Sequence, residues 1–318
     1  MFDKITIRAS LSDEECAYLA QLHRLQSWVN ENKTQVEYRS SKYSNLTGVE
    51  VKIVRGKMTM KTSLHKYYNE KTYGKLRNDT LFSVSEAKLA LDMLLEENRL
   101  NRSAVRITQF ELGLNLPVSY DPLLFIERAR AITYKDKLLF VDANYQMNRQ
   151  KTTLKHRRMR KYYKIYDKTF EMKEKQRNVS DVLRGEEEPP VLRVETVYRR
   201  HNERADRFFS DANVERLVQR FFADWQQLFF FRSVRAYKGA RKSEIERATK
   251  IVNDGAENYL QQAKADFEHG KITPKQFRTI REFVRDFNKK RKQFKTEISA
   301  QEIEYKKLLY SVFNDARK

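Results

Sequence analysis

The chain has 318 residues, which is long enough to bury a full hydrophobic core in one large domain or two. Lysine and arginine number 64 against 43 acidic residues, and the formal net charge of +21 indicates a polyanionic partner, nucleic acid before a membrane surface. The single cysteine, Cys16, excludes intrachain disulfides and is typical of a reducing cytoplasm. No apolar run approaches the roughly 20 residues of a membrane-spanning helix, and Asp3 and Lys4 interrupt any signal peptide.

Strands and helices alternate through the first two-thirds of the chain. Ser12 and Glu15 predict a capping box that begins the first helix, and Arg55-Gly56-Lys57 predicts a hairpin turn. Further helices are predicted over residues 83–100 and 122–131, the second beginning at a proline. The predicted strands cover residues 2–8, 49–54, 58–63, 106–116, 138–143, 162–166 and 191–198.

The last third of the chain has a different pattern. Acidic residues, a glycine and two prolines within residues 178–190 predict an exposed connector before it. From residue 211 onward the strand patterns end, and two long helices are predicted over residues 242–270 and 273–318. Their basic stretches are either a solvated helix face or a surface for phosphate contact.

These elements predict an α+β fold. Several strand pairs have the spacing of hairpins, which favours a mostly antiparallel central sheet with flanking helices over a parallel one. A helical C-terminal region follows. We therefore predict two domains, at residues 1–205 and 206–318.

A segment rich in tyrosine and lysine, residues 161–168, offers a nucleophile. On a strand, Tyr162, Lys164, Tyr166 and Lys168 share one face, so a tyrosine lies between two lysines. Nearby cations favour the phenolate that nucleophilic attack requires. An amphipathic edge strand with aromatic packing explains the same spacing, and the spacing alone favours that alternative.

Two carboxylates interrupt apolar strands. Glu111 and Glu195 each lie in such a run, and carboxylates on two strands of a sheet can hold Mg²⁺ or Mn²⁺. A metal there would polarise a phosphoryl oxygen. A solvated face, or a salt bridge to Arg193 or Arg106, is the equally supported alternative. His65, after the third strand, is a further candidate metal ligand.

Basic residues interleaved with aromatic ones recur along the chain. Cations can follow the phosphates while rings stack on unpaired bases, which suits single-stranded or locally melted DNA. The candidate DNA-binding residues are Lys66, Tyr67, His156, Arg157, Arg158, Lys161, Lys164 and Arg193.

Four segments, in this order, resemble the rolling-circle replication initiators of single-stranded DNA phages and plasmids, such as the gene II proteins of filamentous phages and the initiators of Bacteroidetes phages. They are Gly48 to Ile53 leading into Ser63 to Asn69, Phe110 to Leu116, Lys164 to Lys168, and Leu192 to Glu195. The resemblance covers about residues 1–205. The His-hydrophobe-His metal pair of the better-known initiators is absent from the sequence, so a metal site would depend on carboxylates, with His65.

The resemblance implies a metal-dependent endonuclease that nicks and joins DNA at an origin. Tyr166 would form a 5′-phosphotyrosine, Glu111 and Glu195 would hold Mg²⁺ or Mn²⁺, and Lys164 and Lys168 would stabilise the phosphate or tune the tyrosine. The expected substrate is single-stranded or locally melted origin DNA in the cytoplasm of a bacterial host. The C-terminal helices would bind DNA, a host helicase or another subunit, and the oligomeric state stays open.

Two other functions stay open from the sequence. A non-catalytic protein that binds single strands or origins would keep the basic and aromatic surface without forming covalent DNA. A conjugative relaxase or mobilisation protein would use the same chemistry on another substrate.

Overall fold

A computed structural model describes residues 1–29, 36–40, 48–134, 137–140, 151–154, 161–176 and 189–317. The strands are β1 (Phe2–Ser10), β2 (Gln26–Val29), β3 (Val36–Arg39), β4 (Glu50–Val54), β5 (Lys57–Ser63), β6 (Arg106–Pro117), β7 (Ala129–Tyr134), β8 (Lys137–Phe140), β9 (Lys151–Leu154), β10 (Lys161–Asp167), β11 (Val191–Tyr198), β12 (Glu203–Arg204), β13 (Leu228–Phe230), β14 (Ser233–Arg235) and β15 (Lys295–Glu297). The helices are α1 (Asp13–Leu22), α2 (Leu64–Tyr73), α3 (Val84–Glu97), α4 (Pro122–Arg128), α5 (Lys168–Gln176), α6 (Ala205–Phe208), α7 (Asp211–Gln226), α8 (Lys242–Asp254), α9 (Ala256–Glu268), α10 (Pro274–Lys290) and α11 (Ala300–Arg317).

One large antiparallel sheet organises the protein, which confirms the predicted α+β class. Its strand order is β2-β3-β4-β5-β1-β6-β11-β10-β9, and β12 also pairs with β6. The predicted hairpin turn joins β4 to β5. Arg55 and Gly56 have φ values of 50° and 66°, and positive φ at both central residues is the requirement of a tight hairpin whose twist matches its strands.

The two faces of the sheet have different roles. Alternation along β6 and β11 directs Leu112 and Val194 to the back face, where the main apolar core lies. Helices α7 and α11 cover that face: Trp225 Nε1 donates to Thr196 Oγ1 at 3.0 Å, and the Tyr305 hydroxyl donates to the Trp225 carbonyl at 3.1 Å. The front face, which carries Glu111 and Glu195, is therefore left for other contacts.

Residues on both sides of the predicted domain boundary at 205 contribute to this main core. The boundary itself stays a prediction. A second, smaller apolar core joins α8, α9 and α10, with Ile251, Phe283, Phe287 and Phe294 buried in it.

The structure corrects the prediction for the last third in several places. The helix predicted over residues 242–270 is interrupted at Gly255, whose φ is 84°, and the one over 273–318 is interrupted by β15. The strands β13, β14 and β15 lie where strand patterns were expected to end. Each has three residues, too few to show alternation, and β14 pairs with β15 from far along the chain.

The helix predicted over residues 122–131 was also too long. Helix α4 ends at Arg128 because the next residues form β7, which pairs with β13 and β8. In the described ranges, no helix is both long and apolar enough to cross a membrane.

A buried acidic cluster beside Tyr166

Three adjacent strands bring the predicted carboxylates and the tyrosine together on the front face. In the β10–β11 register Lys164 lies opposite Glu195 and Tyr166 opposite Arg193, while Gly113 of β6 lies opposite Glu195 from the other side. Paired residues of an antiparallel sheet share a face, so these side chains converge.

Glu195 is the centre of this group. Its Oε1 accepts a hydrogen bond from the Tyr166 hydroxyl at 2.9 Å and another from Arg193 Nε at 2.6 Å. Its Oε2 accepts from Lys164 Nζ at 3.0 Å, and the same ammonium group reaches Glu111 Oε1 at 3.2 Å. Lys164 therefore bridges the two glutamates, and Tyr166 contacts one of them directly.

A third carboxylate, Asp3, was missed by the sequence analysis. The register of β1 against β6 shifts between Phe2 and Ile5, so that Asp3 and Lys4 together lie opposite Glu111. Such a β-bulge redirects side chains, and here it directs Asp3 toward Glu111 and Glu195. We call these three carboxylates the acidic cluster. Two consecutive polar residues between Phe2 and Ile5 break the alternation of the strand, and that break was the available signal.

Asp3 is fully engaged by hydrogen-bond donors. Ser63 and Arg193 both donate to its carboxylate, and Asn78 Nδ2 donates at 3.2 Å. Arg193 thus joins Asp3 to Glu195. Its remaining nitrogen donates to Asn115 Oδ1 at 2.8 Å and to the Asn78 carbonyl at 3.1 Å.

Glu111 has the carboxylate oxygen that is best placed for an added ligand. Its Oε2 is buried and accepts no hydrogen bond from any described residue, and the largely exposed Lys4 places its Nζ 3.8 Å away. Asp3, Glu111 and Glu195 each offer one oxygen within 4.8 Å of the others. Hard divalent cations take oxygen ligands of this kind, so the residues present fit Mg²⁺ or Mn²⁺.

Gly113 makes room for the cluster. An added Cβ at this position would lie 3.1 Å from both Arg193 Nη2 and Glu195 Cγ. A glycine in a strand interior commonly marks such a close approach. Any larger residue would therefore displace the arginine or the glutamate.

Burial and charge set the protonation states. Burial opposes ionisation of Glu195, but the charges of Arg193 and Lys164 outweigh it and lower the pKa of this carboxyl. For Glu111, burial and then the charge of Glu195 raise the pKa. Burial works against the charged form of Lys164, yet the two glutamates outweigh it and raise the pKa of the amine.

Tyr166 itself is protonated in this arrangement. Burial raises the pKa of its phenol well above the usual value, and the negative charge of Glu195 raises it further. The expected stabilisation of the phenolate by neighbouring cations is therefore overridden. Activation of Tyr166 instead needs a proton acceptor, and Glu195 already accepts its hydrogen bond.

The two other predicted residues nearest the cluster have partners of their own. Lys168 begins α5, is buried and donates to Glu171 Oε2 at 2.7 Å. His65 is buried against Phe82, and its Nε2 lies 3.0 Å from Thr80 Oγ1. Burial lowers the pKa of His65 to about 3, and the structure does not bring its ring into the group of three carboxylates.

The structure also corrects part of the predicted DNA-binding set. Lys161 is buried on the back face, where its Nζ donates to Asp224 Oδ2 at 2.5 Å, and Arg193 is buried within the acidic cluster. Tyr67 is buried and donates to Glu97 Oε2 at 2.5 Å, so its ring offers no stacking surface. Lys66 is half-buried in α2.

His156, Arg157 and Arg158, which were also predicted to bind DNA, lie outside the described residues.

Comparison with known proteins gives little beyond the structure itself. No protein-family model and no curated protein matches the chain. A solved structure of a rolling circle replication initiator protein from Geobacillus stearothermophilus is similar over 76% of this chain and 88% of that chain, with 8% identity and a TM-score of 0.33. By its name that protein is of the class that the four motifs resemble.

Proposed function

We propose that this protein is a replication initiator that nicks and rejoins a DNA strand through Tyr166. The observation that carries the proposal is the 2.9 Å hydrogen bond from the Tyr166 hydroxyl to Glu195, beside Lys164 and Glu111. A nucleophile in contact with its base, with a cation alongside, is the arrangement that covalent catalysis needs. The net charge of +21 suits a nucleic-acid substrate.

The reaction follows from these contacts. Glu195 takes the phenolic proton as the Tyr166 oxygen bonds to phosphorus, and the bond from phosphorus to the 3′ oxygen breaks. The products are a 5′-phosphotyrosine and a strand end that becomes a 3′-hydroxyl when it gains a proton. Burial and the charge of Arg193 lower the pKa of Lys168, so Lys168 is the better proton donor of the two lysines.

Lys164 and a metal ion would both stabilise the phosphate that Tyr166 attacks. Lys164 would balance the negative charge on that phosphate. Mg²⁺ or Mn²⁺ held by Glu111 and Glu195, with Asp3 as the third carboxylate, would polarise the phosphoryl oxygen when bound. Glu111 Oε2 is the oxygen free to begin that coordination.

Access to the tyrosine has to be opened by the substrate. Tyr166 is 8% exposed, so neighbouring side chains move before a phosphodiester reaches the hydroxyl. In this role the protein would act on single-stranded or locally melted phage or plasmid DNA in a bacterial host. The C-terminal helices would serve DNA, a helicase or another subunit.

Strand polarity tests the proposal. A random library of single-stranded DNA, labelled at either end, is incubated with the protein and Mn²⁺ and resolved on a denaturing gel. We expect the 3′-labelled fragment to migrate with the protein and the 5′-labelled fragment to be released and extended by a polymerase. The opposite polarity, or release of both fragments, would contradict the proposal.

One observation favours a second candidate, a binding protein without chemistry. Arg193 and Lys164 neutralise much of the acidic cluster, as they would in a structural ion-pair network. Such a protein would bind the DNA library and shift it on a native gel. On the denaturing gel it would give no covalent product of protein and DNA.

A further inference from the structure

Beyond the acidic cluster, the front face of the sheet carries a row of cations that crosses five strands. Each residue of the row pairs with the next one across neighbouring strands of the sheet. In order, the row runs through Arg106 of β6, Arg8 of β1, Thr59 of β5, Lys52 of β4 and Arg39 of β3. With strands about 4.8 Å apart, the row spans about 19 Å. We call these residues, together with Lys57 of β5 on the same face, the basic row.

Most of this charge is left for an outside partner. In the part of the chain that the structure describes, no carboxylate pairs with Arg8, Lys57 or Arg106, and all three are exposed. Glu37 pairs with Arg39 and Lys52, so one end of the row is partly neutralised. The groove around the row is also lined by Arg55, and by Lys61, whose charge is paired with Glu50 in the same groove.

The basic row lies on the same face as the acidic cluster. Along β1 the front-face positions run from Lys4, which reaches toward Glu111, through Thr6 to Arg8. Four residues of an antiparallel strand cover about 14 Å. That distance equals about four steps of a nucleic-acid strand at 3.4 Å each.

The chemistry of the groove indicates which form of DNA it takes. None of the described residues that line it is aromatic, so it offers cations and hydroxyls but no ring on which an unpaired base could stack. Near the acidic cluster an aromatic ring is present, because the Tyr162 ring lies 5.7 Å from Lys164 Nζ. Contacts made by cations alone serve a duplex backbone, which presents phosphates and keeps its bases paired.

We propose that the basic row binds the phosphate backbone of duplex DNA, about four nucleotide steps beyond Lys4 at the near edge of the acidic cluster. The position of the duplex relative to the nick rests on the proposed function. The binding of duplex by Arg8, Lys57 and Arg106 does not, and it can be measured without any cleavage.

The test compares two DNA probes and two double variants. The probes are a random-sequence duplex with a single-stranded tail and an unpaired strand of equal length, bound in buffer with a chelator across a range of salt. The variants are R8A/R106A and the control K75A/R128A, which removes the same charge from exposed positions outside the groove and outside the C-terminal helices. Thermal melting confirms that all proteins are folded.

We expect R8A/R106A to weaken binding of the tailed duplex at least tenfold and to reduce the slope of log affinity against log salt by about 2. The control and the unpaired strand should show changes of less than threefold. An equal loss on both probes, or an equal loss with the control variant, would overturn the proposal. Loss of cleavage by Tyr166 would not affect this result, so the two proposals fail separately.

Discussion

The Tyr166 hydroxyl donates its hydrogen bond to the same Glu195 oxygen that Arg193 Nε contacts at 2.6 Å. One oxygen thus links a candidate nucleophile to a buried cation. Arg193 lowers the pKa of Glu195 against the effect of burial, which keeps the carboxylate ionised and able to accept a proton. The same contact makes Glu195 a weaker base, so the phosphate itself must help to drive proton transfer.

Replacing Glu195 by glutamine should separate chemistry from binding. E195Q keeps a hydrogen-bond acceptor but loses the charge, and we expect nicking to fall by about 100-fold or more because a general base contributes that much. Binding of single-stranded DNA should change less than threefold. Single-turnover assays with E96Q, which changes an exposed glutamate of α3, as the control would measure this. Nicking by E195Q within threefold of the parent protein would remove Glu195 from the mechanism.

Glu111 should make folding stability depend on pH. Its pKa is raised in the folded protein, first by burial and then by Glu195, so the protonated form is favoured there. Its contribution to stability is complete below the unfolded carboxyl pKa of about 4.3 and is lost as pH rises through the folded value. In metal-free urea titrations, E111Q should therefore gain on the order of 1 kcal/mol relative to the parent between pH 4 and pH 7. A stability difference that is constant with pH contradicts this account.

Metal binding should reverse the gain in folding stability that E111Q has over the parent protein at neutral pH. Added Mn²⁺ should raise the melting temperature of the parent protein, because a ligand that binds the folded state stabilises it. E111Q should show a much smaller rise, since it lacks the carboxylate whose Oε2 is free. Equal rises in both proteins would place the metal elsewhere.

Asp3 should matter for stability as well as for any metal. Replacing it by asparagine leaves Arg193 without one of its two buried anions, and breaking a buried ion pair costs about 3–5 kcal/mol. D13N, in the exposed first turn of α1, is the control and should lose less than about 1 kcal/mol. Urea titration measures both. A loss for D3N no larger than that for D13N would show that Arg193 does not depend on Asp3.

Gly113 should tolerate no side chain. In G113A the new methyl group would lie 3.1 Å from Arg193 Nη2 and Glu195 Cγ, so one of them has to move. We expect a loss of about 1–3 kcal/mol in stability, as for other overpacked sites, and a larger proportional loss of nicking. Binding of the tailed duplex should be unchanged, because Gly113 lies about 24 Å along β6 from Arg106 of the basic row. Nicking by G113A at the rate of the parent protein would show that Arg193 and Glu195 are not held in fixed positions.

The sequence was sufficient for those parts of the site that depend on local pattern. Glu111, Glu195 and Tyr166 each lie in a long strand, so the period of each strand predicted which of its residues share a face. That all three lie on one face of the sheet depends on the register between the strands. Asp3 was missed because a bulge in β1, formed against β6 far along the chain, determines its direction. The pairing of β14 with β15 is also long-range, and three residues carry too little pattern to reveal it.

Burial was the other property that the sequence did not give. Lys161 reads as a cation available to phosphate, yet it lies in the strand position that faces the back and meets Asp224. Neighbouring lysines were expected to stabilise the ionised form of Tyr166. Burial and the charge of Glu195 instead raise the pKa of its phenol. Both errors have the same cause, since alternation assigns residues to a face but does not say how deeply a position on either face is buried.

The most direct test of the central claim is mass mapping of the covalent conjugate between protein and DNA. The protein is incubated with random single-stranded DNA and Mn²⁺, denatured, digested with trypsin and nuclease, and sequenced by mass spectrometry. We predict a nucleotide on the peptide that contains Tyr166, no conjugate with Y166F, and an unchanged yield with Y162F, its neighbour on the same strand face. A conjugate that persists at the parent yield in Y166F, or one that maps to another residue, would contradict the assignment of Tyr166 as the nucleophile.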